Sequence, residues 1–420
     1  MKAVKTNIAV VKITYMKWST IMKKKLFIIT LTSILIVVLL SACGNGATND
    51  TSDSPDREKP NTSTPAPDST PISTPEINIE VTPIESFRYS SDAENQGVRI
   101  DGFIGSELKV RIPDTIEEMP VTSIGASAFK GSGIMSLYIP DSVKVIGDYA
   151  FADADGLIEI FIPDSVTRIG GYAFANSGLT SILLPNSLSN ITGHMFTSSK
   201  IESIVIPGSV EVIEEWAFHG SELTSVIISE GVTLIGDNAF SGSALTNIIL
   251  PDSVTYIGMG AFSNNLPVER RGTLKEVTFG NGLTTIRTFA FDHTGIMSII
   301  IPDSVTTIEA LAFINTPDLI KIDMPDNFQI PPVRQHERVT GPGGGYLNAY
   351  TLVDEGSIEL FFLQILQSAS VNLASPHLFE NPFDQINSNI IISYRGINYG
   401  FDDLLKYYDY ENYVYSLGED

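Results

Sequence analysis

The segment IPDSVTRIGGYAF at residues 162–174 decides the fold of this chain, because closely similar segments recur along more than half of the sequence. Two of them are LPDSVTYIGMGAF at 250–262 and IPDSVTTIEALAF at 301–313. The phenylalanines at this position are Phe129, Phe151, Phe174, Phe196, Phe218, Phe240, Phe262, Phe291 and Phe313. They are 22 or 23 residues apart, except for one step of 29 that contains a seven-residue insertion within 263–273. Such a period predicts a solenoid of stacked units.

Each unit combines a strand pattern with a turn pattern. In one unit Leu179, Ile182 and Leu184 alternate with other residues, as in a strand with one buried face. Pro185 and Asn186 follow and favour a turn, because proline presets φ and Asn or Asp accepts local backbone hydrogen bonds. The unit then returns through Val-x-x-Ile-Gly-x-x-Ala-Phe, with apolar residues three or four apart. One unit cannot bury these residues alone, so we expect neighbouring units to stack and pair their strands in parallel.

The repeated segments resemble the BspA-like class of leucine-rich repeats, the LRR_5 type. TSIGASAFKG at 122–131 resembles the usual first unit, and the similarity extends over about residues 100–326. The resemblance implies an α/β-type repeat solenoid, a right-handed coil of about 22-residue units with a parallel β-sheet face, capped at both ends. It also implies a bacterial surface lipoprotein that has no enzymatic activity and serves in adhesion or protein–protein interaction.

The N-terminal region has the pattern of an export signal. Lys23–Lys25 precede the apolar run Leu26–Leu40, which is short for a membrane span of about 20 apolar residues. The LSAC sequence that ends at Cys43 resembles a lipobox, which implies removal of a signal peptide at 1–42 and acylation of Cys43. Met22 is a candidate start. We expect an extracytoplasmic protein that is anchored to the bacterial membrane by a lipid on Cys43 and exposed on the cell surface; an uncleaved signal anchor is the alternative.

Three further regions follow the predicted signal peptide. Residues 43–83 are rich in Ser, Thr and Pro and predict a disordered linker. The solenoid is assigned to 84–330, with its first cap at 87–112, and the C-terminal region 331–420 to a cap or a small accessory module. Within that last region the sequence predicts a helix at Ser357–Ser370, a hairpin at Ile390–Tyr399 and a helix from Asp402.

Charge and cysteine content exclude several functions. The formal net charge is −23, and residues 1–42 contain seven lysines and no acid, so the remainder is more negative still. Such a surface repels nucleic acids and anionic polymers, and we therefore expect no nucleic-acid partner. Cys43 is the one cysteine, which excludes an internal disulfide and a cysteine-based metal site.

No constellation of catalytic or metal-binding residues is evident, and we predict no cofactor, metal or catalytic residue. His194, His219 and His293 occupy different positions of the repeat, so we expect isolated surface histidines. The Gly341–Gly345 run lacks the Lys-Ser/Thr of a phosphate loop. Acids recur after the turn proline, which turn propensity explains; a calcium column is the alternative. The other functions considered are an envelope enzyme or solute-binding lipoprotein with its site in the C-terminal region, and a purely structural envelope component that self-associates or attaches to the wall.

The strand's outward positions supply the candidate binding face. If Leu179, Ile182 and Leu184 point inward, the intervening residue points outward. The candidate face consists of Tyr138, Phe161, Leu183, Val205, Ile227, Ile249 and Ile300. A long apolar stripe of this kind favours binding of an extracellular protein or cell-surface ligand. Two alternatives remain: β-branched residues simply suit strands, or the C-terminal region covers the stripe.

Overall fold

The computed structural model describes residues 80–265, 268–329, 337–340, 346–349 and 389–400. They form a parallel β-solenoid of about ten turns. The first strands are β1 (Phe87–Asp92), β2 (Gly97–Phe103), β3 (Lys109–Arg111), β4 (Thr115–Ile116) and β5 (Met119–Ile124). The coil continues with β6 (Ser136–Tyr138), β7 (Val145–Ile146), β8 (Glu159–Phe161), β9 (Arg168–Ile169), β10 (Ser181–Ile182), β11 (Asn190–Ile191), β12 (Ser203–Ile206), β13 (Val212–Ile213), β14 (Ser225–Ile228), β15 (Leu234–Ile235), β16 (Asn247–Ile249), β17 (Tyr256–Ile257), β18 (Glu276–Thr278), β19 (Thr285–Ile286), β20 (Ser298–Ile300), β21 (Thr307–Ile308) and β22 (Lys321–Asp323). The last strands are β23 (Glu337–Thr340), β24 (Tyr346–Ala349), β25 (Ile391–Tyr394) and β26 (Ile397–Gly400).

Each coil contributes one strand to a front and one to a back row of parallel strands, the front and back ladders; strand pairing divides the front ladder into four groups and the back ladder into two. The even-numbered strands from β6 to β22 are the front strands, and the odd-numbered strands from β7 to β21 are the back strands. In the front ladder Ser203 pairs with Ser225, and in the back ladder Ile213 pairs with Ile235. Both pairs are one 22-residue period apart, so the predicted period and parallel sheet are confirmed.

The prediction of an α/β-type unit is wrong for the described part of the chain, where the helices are the 3₁₀ segments Ile84–Ser86 and Val268–Arg270. Apolar residues spaced three or four apart fit a series of turns as well as a helix. Tyr149 and Asp153, on either side of Phe151, both have a φ of 58°, and a left-handed residue ends a helix. The amide of Phe151 instead donates to Ala173 O in the next coil at 2.8 Å.

The turn after each front strand follows from its sequence. The amide of Val166 donates to Pro163 O at 3.0 Å, which closes a four-residue turn. Ser165, inside that turn, donates through Oγ to Val143 O of the preceding coil at 2.7 Å. The Pro-x-Ser-Val sequence therefore forms a turn and also ties it to the previous coil.

The core is one continuous column of side chains along the axis of the coil. The nine phenylalanines that define the period stack with ring centroids 5.1–5.5 Å apart. All nine are buried, as are Leu179 and Leu184, whereas Ile182 is partly buried against the same core. The predicted inward face of the front strand is thus confirmed.

An antiparallel hairpin begins the described fold. Strand β1 pairs with β2, and β2 pairs in parallel with β5. Buried Asp92 accepts hydrogen bonds from Thr122 and Ser123 of β5 at 2.9 and 2.6 Å, and a third from Asn95. Burial alone raises the pKa of Asp92, but these hydrogen bonds lower it below its ordinary value. The charged carboxylate therefore joins the hairpin to the first coil.

A second hairpin adjoins the last coil. The predicted hairpin at 390–399 is confirmed as β25 and β26, which pair antiparallel, and β25 extends the front ladder by pairing in parallel with β22. Strands β23 and β24 form a separate antiparallel pair. The helices predicted at 357–370 and from Asp402 lie outside the described residues. Whether either hairpin caps the coil stays a prediction.

Candidate functional site

The predicted binding residues form one column on the outer face of the front strands, which we call the apolar column. Strand pairing places Tyr138 beside Phe161 and Val205 beside Ile227. The alternating inward residues, such as Ile160, are buried. The most exposed members are Leu183, Ile249 and Ile300, whose exposed fractions are 76%, 66% and 71%. Thr278 and Asp323 continue the register beside Ile249 and Ile300.

Aromatic contacts order the first coils of the apolar column. The rings of Tyr138 and Phe161 stack with centroids 5.3 Å apart, and the guanidinium of Arg111 lies 5.1 Å from the Tyr138 centroid. The pKa of Tyr138 is raised, first by burial and then by the negative charge of Asp141, with Arg111 acting in the opposite direction. The carboxylate that follows the turn proline is therefore close enough to act on the apolar column.

Two further columns lie on the same face, on the N-terminal side of the apolar column. One is mostly hydroxylated and includes Ser181, Ser203, Ser225 and Ser298. The second begins with exposed Leu108, Met135 and Ile158 and ends with exposed Met297 and Ile320, with Thr180, Glu202, Thr224, Thr246 and Lys275 between them. Sequence reasoning missed this second column, although large apolar residues directly before a strand are a visible signal. It widens the apolar surface at both ends of the face.

Carboxylates line the other side of the apolar column. Seven exposed acids at the second position of the turn after a strand of this face form the acid rail: Asp114, Asp141, Asp164, Glu230, Asp252, Asp303 and Asp326. Asp164 accepts a hydrogen bond from Asn186 N of the next coil at 2.9 Å, and Asp252 accepts one from Asn281 N at 2.7 Å. These bonds supply a structural reason for the acids. In the described ranges no group of three or more His, Cys, Asp or Glu side chains is arranged to hold a metal ion.

A second set of aromatic rings lies outside the coil, at the turn two residues before each core phenylalanine. The outer aromatic column consists of Tyr149, Tyr172, His194 and Trp216, which are stacked and only partly buried. The ring centroids are 4.7, 4.2 and 5.9 Å apart in succession. All four residues have a φ of 57–59°. Sequence reasoning missed this column, which recurrence of aromatic residues at the repeat period would have indicated.

The expectation of isolated histidines is wrong for two of them. His194 stacks on one face of Trp216, and His219 contacts that ring edge-on at 4.7 Å between centroids. Burial lowers the pKa of His194, and the nearby Glu215 partly opposes this effect. Burial also lowers the pKa of His219, whose Nδ1 is buried and lacks a hydrogen-bond partner. Both imidazoles are therefore neutral at neutral pH.

Several predicted features lie outside the described residues: the signal peptide at 1–42, Cys43, most of the linker and the glycine run 341–345. Thr82, near the end of the predicted linker, is described, and its amide donates to Arg111 O at 3.0 Å. No helix in the described ranges has the length and apolarity needed to cross a membrane.

The parallel coil, its 22-residue register and its buried Leu and Ile rows define a leucine-rich-repeat protein. A sequence profile described as the BspA type leucine rich repeat region matches in six copies, at residues 122–244, 155–269 and 233–331. The chain belongs to this family, and the resemblance noted from the sequence is confirmed.

Comparison with other proteins gives similarities of the same kind. No curated protein matches the chain. Among solved structures, the chain is 25% identical to the leucine-rich-repeat protein of T. pallidum, covering 50% of this chain and 91% of that one with a TM-score of 0.37. It is 22% identical to a leucine-rich cell surface protein of Faecalibacterium prausnitzii, covering 60% and 90% with a TM-score of 0.29. It is 23% identical to a leucine-rich-repeat protein of Bacteroides ovatus, covering 59% of this chain and 89% of that one with a TM-score of 0.28.

Proposed function

We propose that this chain is a non-catalytic bacterial surface lipoprotein that binds an extracellular protein or cell-surface ligand through the apolar column and so serves in adhesion. Lipidation of Cys43 would anchor it to the membrane, and the linker at 43–83 would hold the solenoid away from the bilayer. The export signal in the sequence and membership of the BspA-type family support this proposal.

The exposure of Leu183, Ile249 and Ile300 carries the proposal. Single exposed apolar residues are ordinary on protein surfaces, but these three occupy the same position of the repeat in three different coils. Burial of a Leu or Ile side chain contributes about 1.5–3 kcal/mol. Three such residues therefore contribute about 4.5–9 kcal/mol when a partner covers them, which is of the same order as the cost of association.

Replacement of the three exposed residues tests the proposal. The protein comprises residues 44–420, which include every described residue, and the variant carries Leu183→Asp, Ile249→Asp and Ile300→Asp. Asp323 occupies the same column naturally, so we expect this variant to fold. Binding to immobilised fibronectin, fibrinogen, mucin and whole cells is then measured. We expect saturable binding of the unchanged protein to at least one surface and its loss in the variant.

A matched control replaces exposed apolar residues elsewhere, with Ile104→Asp, Met119→Asp and Ile397→Asp. These side chains are exposed but lie outside the column. The control should retain binding, and circular dichroism should show both variants folded. Equal binding by the column variant and the unchanged protein would exclude the apolar column as the site.

A further inference from the structure

The acid rail runs the length of the apolar column without neutralisation by the protein's own cations. Each of its carboxylates is exposed, and none takes part in the ion pairs found among the described residues. The rail carboxylates that accept hydrogen bonds do so from the Asn281 side chain and from backbone amides. Glu230, for example, accepts from Asp252 N and Ser253 N. No ion pair in the described part of the chain therefore compensates the rail, and its seven acids are distributed over about 40 Å at about 4.8 Å per coil, with Asn186, Gly208 and Asn281 at the same position in the remaining coils.

Cations on the front face are confined to its two ends. Lys109 and Arg111 lie at the N-terminal end, and the Arg111 guanidinium is positioned over Tyr138. At the other end Lys275 pairs with Asp318 at 3.0 Å and Lys321 with Asp323 at 2.7 Å. In the columns of this face between 162 and 274 the described residues include no Lys or Arg. A partner that covers the middle coils thus meets apolar side chains beside uncompensated carboxylates.

The sheet face also constrains the backbone of a partner. Front strands such as β12 and β14 pair along their length, and the backbone N–H and C=O groups of a strand point sideways within the plane of the sheet, so the face presents side chains. A segment lying along the coil axis must satisfy its own backbone amides and carbonyls. An α-helix does so, and it presents a narrow apolar stripe with polar residues beside it.

We propose that the apolar column and acid rail together receive a basic amphipathic helix of another protein, with its apolar stripe on the column and its lysines or arginines toward the rail. This inference rests on the proposed function and specifies the partner's chemistry. The column from Tyr138 to Ile300 is about 34 Å long at the usual strand spacing, which a helix of about 22 residues matches.

Two synthetic peptides test the charge preference on residues 44–420. Both have about 22 residues and leucines at helical spacing; one carries lysine at the remaining positions and the other glutamate. Binding of the labelled peptides is followed by fluorescence anisotropy. We expect the Leu/Lys peptide to bind at least about tenfold more tightly than the Leu/Glu peptide, and its affinity to fall as salt is raised from about 50 to about 500 mM.

Paired variants separate the rail from net charge. The rail variant carries Asp141→Asn, Asp164→Asn, Asp252→Asn and Asp303→Asn, and Asn186 and Asn281 already occupy this position of the turn. The control variant removes the same number of exposed carboxylates elsewhere: Asp155→Asn, Glu211→Gln, Glu215→Gln and Glu222→Gln. We expect the rail variant to lose about tenfold in affinity for the Leu/Lys peptide and the control less than about threefold.

A third variant separates this inference from the proposed function. Leu183→Thr, Ile249→Thr and Ile300→Thr remove apolar surface without adding charge, and Thr278 occupies this column naturally. If these changes weaken both peptides equally and lysine gives no advantage, the column is a binding site and the basic helix is excluded. If they leave binding unchanged, the apolar column is not the site. Failure of the Leu/Lys peptide to bind also overturns the inference.

Discussion

The inner and outer aromatic columns are two residues apart in each coil, yet they differ in length and composition. The inner column contains phenylalanine in nine successive coils and is buried throughout. The outer column contains tyrosine, histidine or tryptophan in four coils and stays partly exposed. The inner position must fill the same space in every coil, whereas the outer position is partly exposed in these four coils and buried at Asn238, Phe289 and Leu311. The fold therefore determines the inner residue, and the outer residue distinguishes one coil from the next.

The largest expected effect is on the inner column. Phe218→Ala removes a ring whose centroid lies 5.1 Å from both Phe196 and Phe240, and it leaves a cavity that a stacked coil cannot close. We expect the free energy of unfolding to fall by about 3–5 kcal/mol. Denaturant unfolding of residues 44–420, followed by far-UV circular dichroism, measures this change. A loss no larger than that of an outer-column variant would refute the distinction between the two columns.

An intermediate effect is expected on the outer column. Trp216→Ala removes a partly exposed ring that stacks on His194, while the coil's backbone ladder remains. We expect a loss of about 1 kcal/mol in the free energy of unfolding, measured by the same denaturant titration. Exposed Glu222 in the same coil provides the control, since Glu222→Ala should change stability by less than about 0.5 kcal/mol. A Trp216→Ala effect within that range would show that the outer stack contributes nothing measurable.

The smallest effect is expected in the pH dependence of stability at His219, which contacts the outer column at Trp216. Because the folded-state pKa of His219 is lowered by burial, the unfolded chain binds the proton more readily, and stability declines as pH falls below about 6.5. His219→Gln should flatten this decline by less than about 1 kcal/mol. Thermal unfolding at pH values between about 5 and 8 measures it. His194→Gln serves as a comparison, because its ring is also titratable and lies against Trp216. Identical pH profiles for the His219 variant and the unchanged protein would contradict the prediction.

The sequence predicted the features of the fold that each successive coil repeats. The phenylalanine spacing predicted the coil, the alternation around Ile182 predicted the front strand, and Pro185 predicted the turn. Each of these features recurs with the period, so a pattern that is ambiguous in one unit can be interpreted from the other units. The column from Tyr138 to Ile300 followed from the same alternation, and strand pairing places Tyr138 beside Phe161 and Val205 beside Ile227.

The features that sequence reasoning missed depend on backbone conformation and on contacts between coils. Tyr149, Tyr172, His194 and Trp216 have left-handed backbones, which β-turn glycine or asparagine patterns do not indicate. At these left-handed residues the backbone forms turns where a helix was expected, and the four rings point outward. The contacts of His194 and His219 with Trp216 were equally hidden, because the two histidines occupy different positions of the repeat and meet through a ring that belongs to the same turn as His219.

The 29-residue step between Phe262 and Phe291 shows where a coil tolerates extra length. Asn247 still pairs with Glu276, and Ile257 with Ile286, across this step. Arg270 within the insertion donates from Nη1 to Ser221 O at 3.0 Å, so the added residues lie against an earlier coil without shifting either ladder. In evolutionary terms, this bend can acquire or lose sequence while the repeats on either side keep their register, and variation in the protein can accumulate there at little cost to folding.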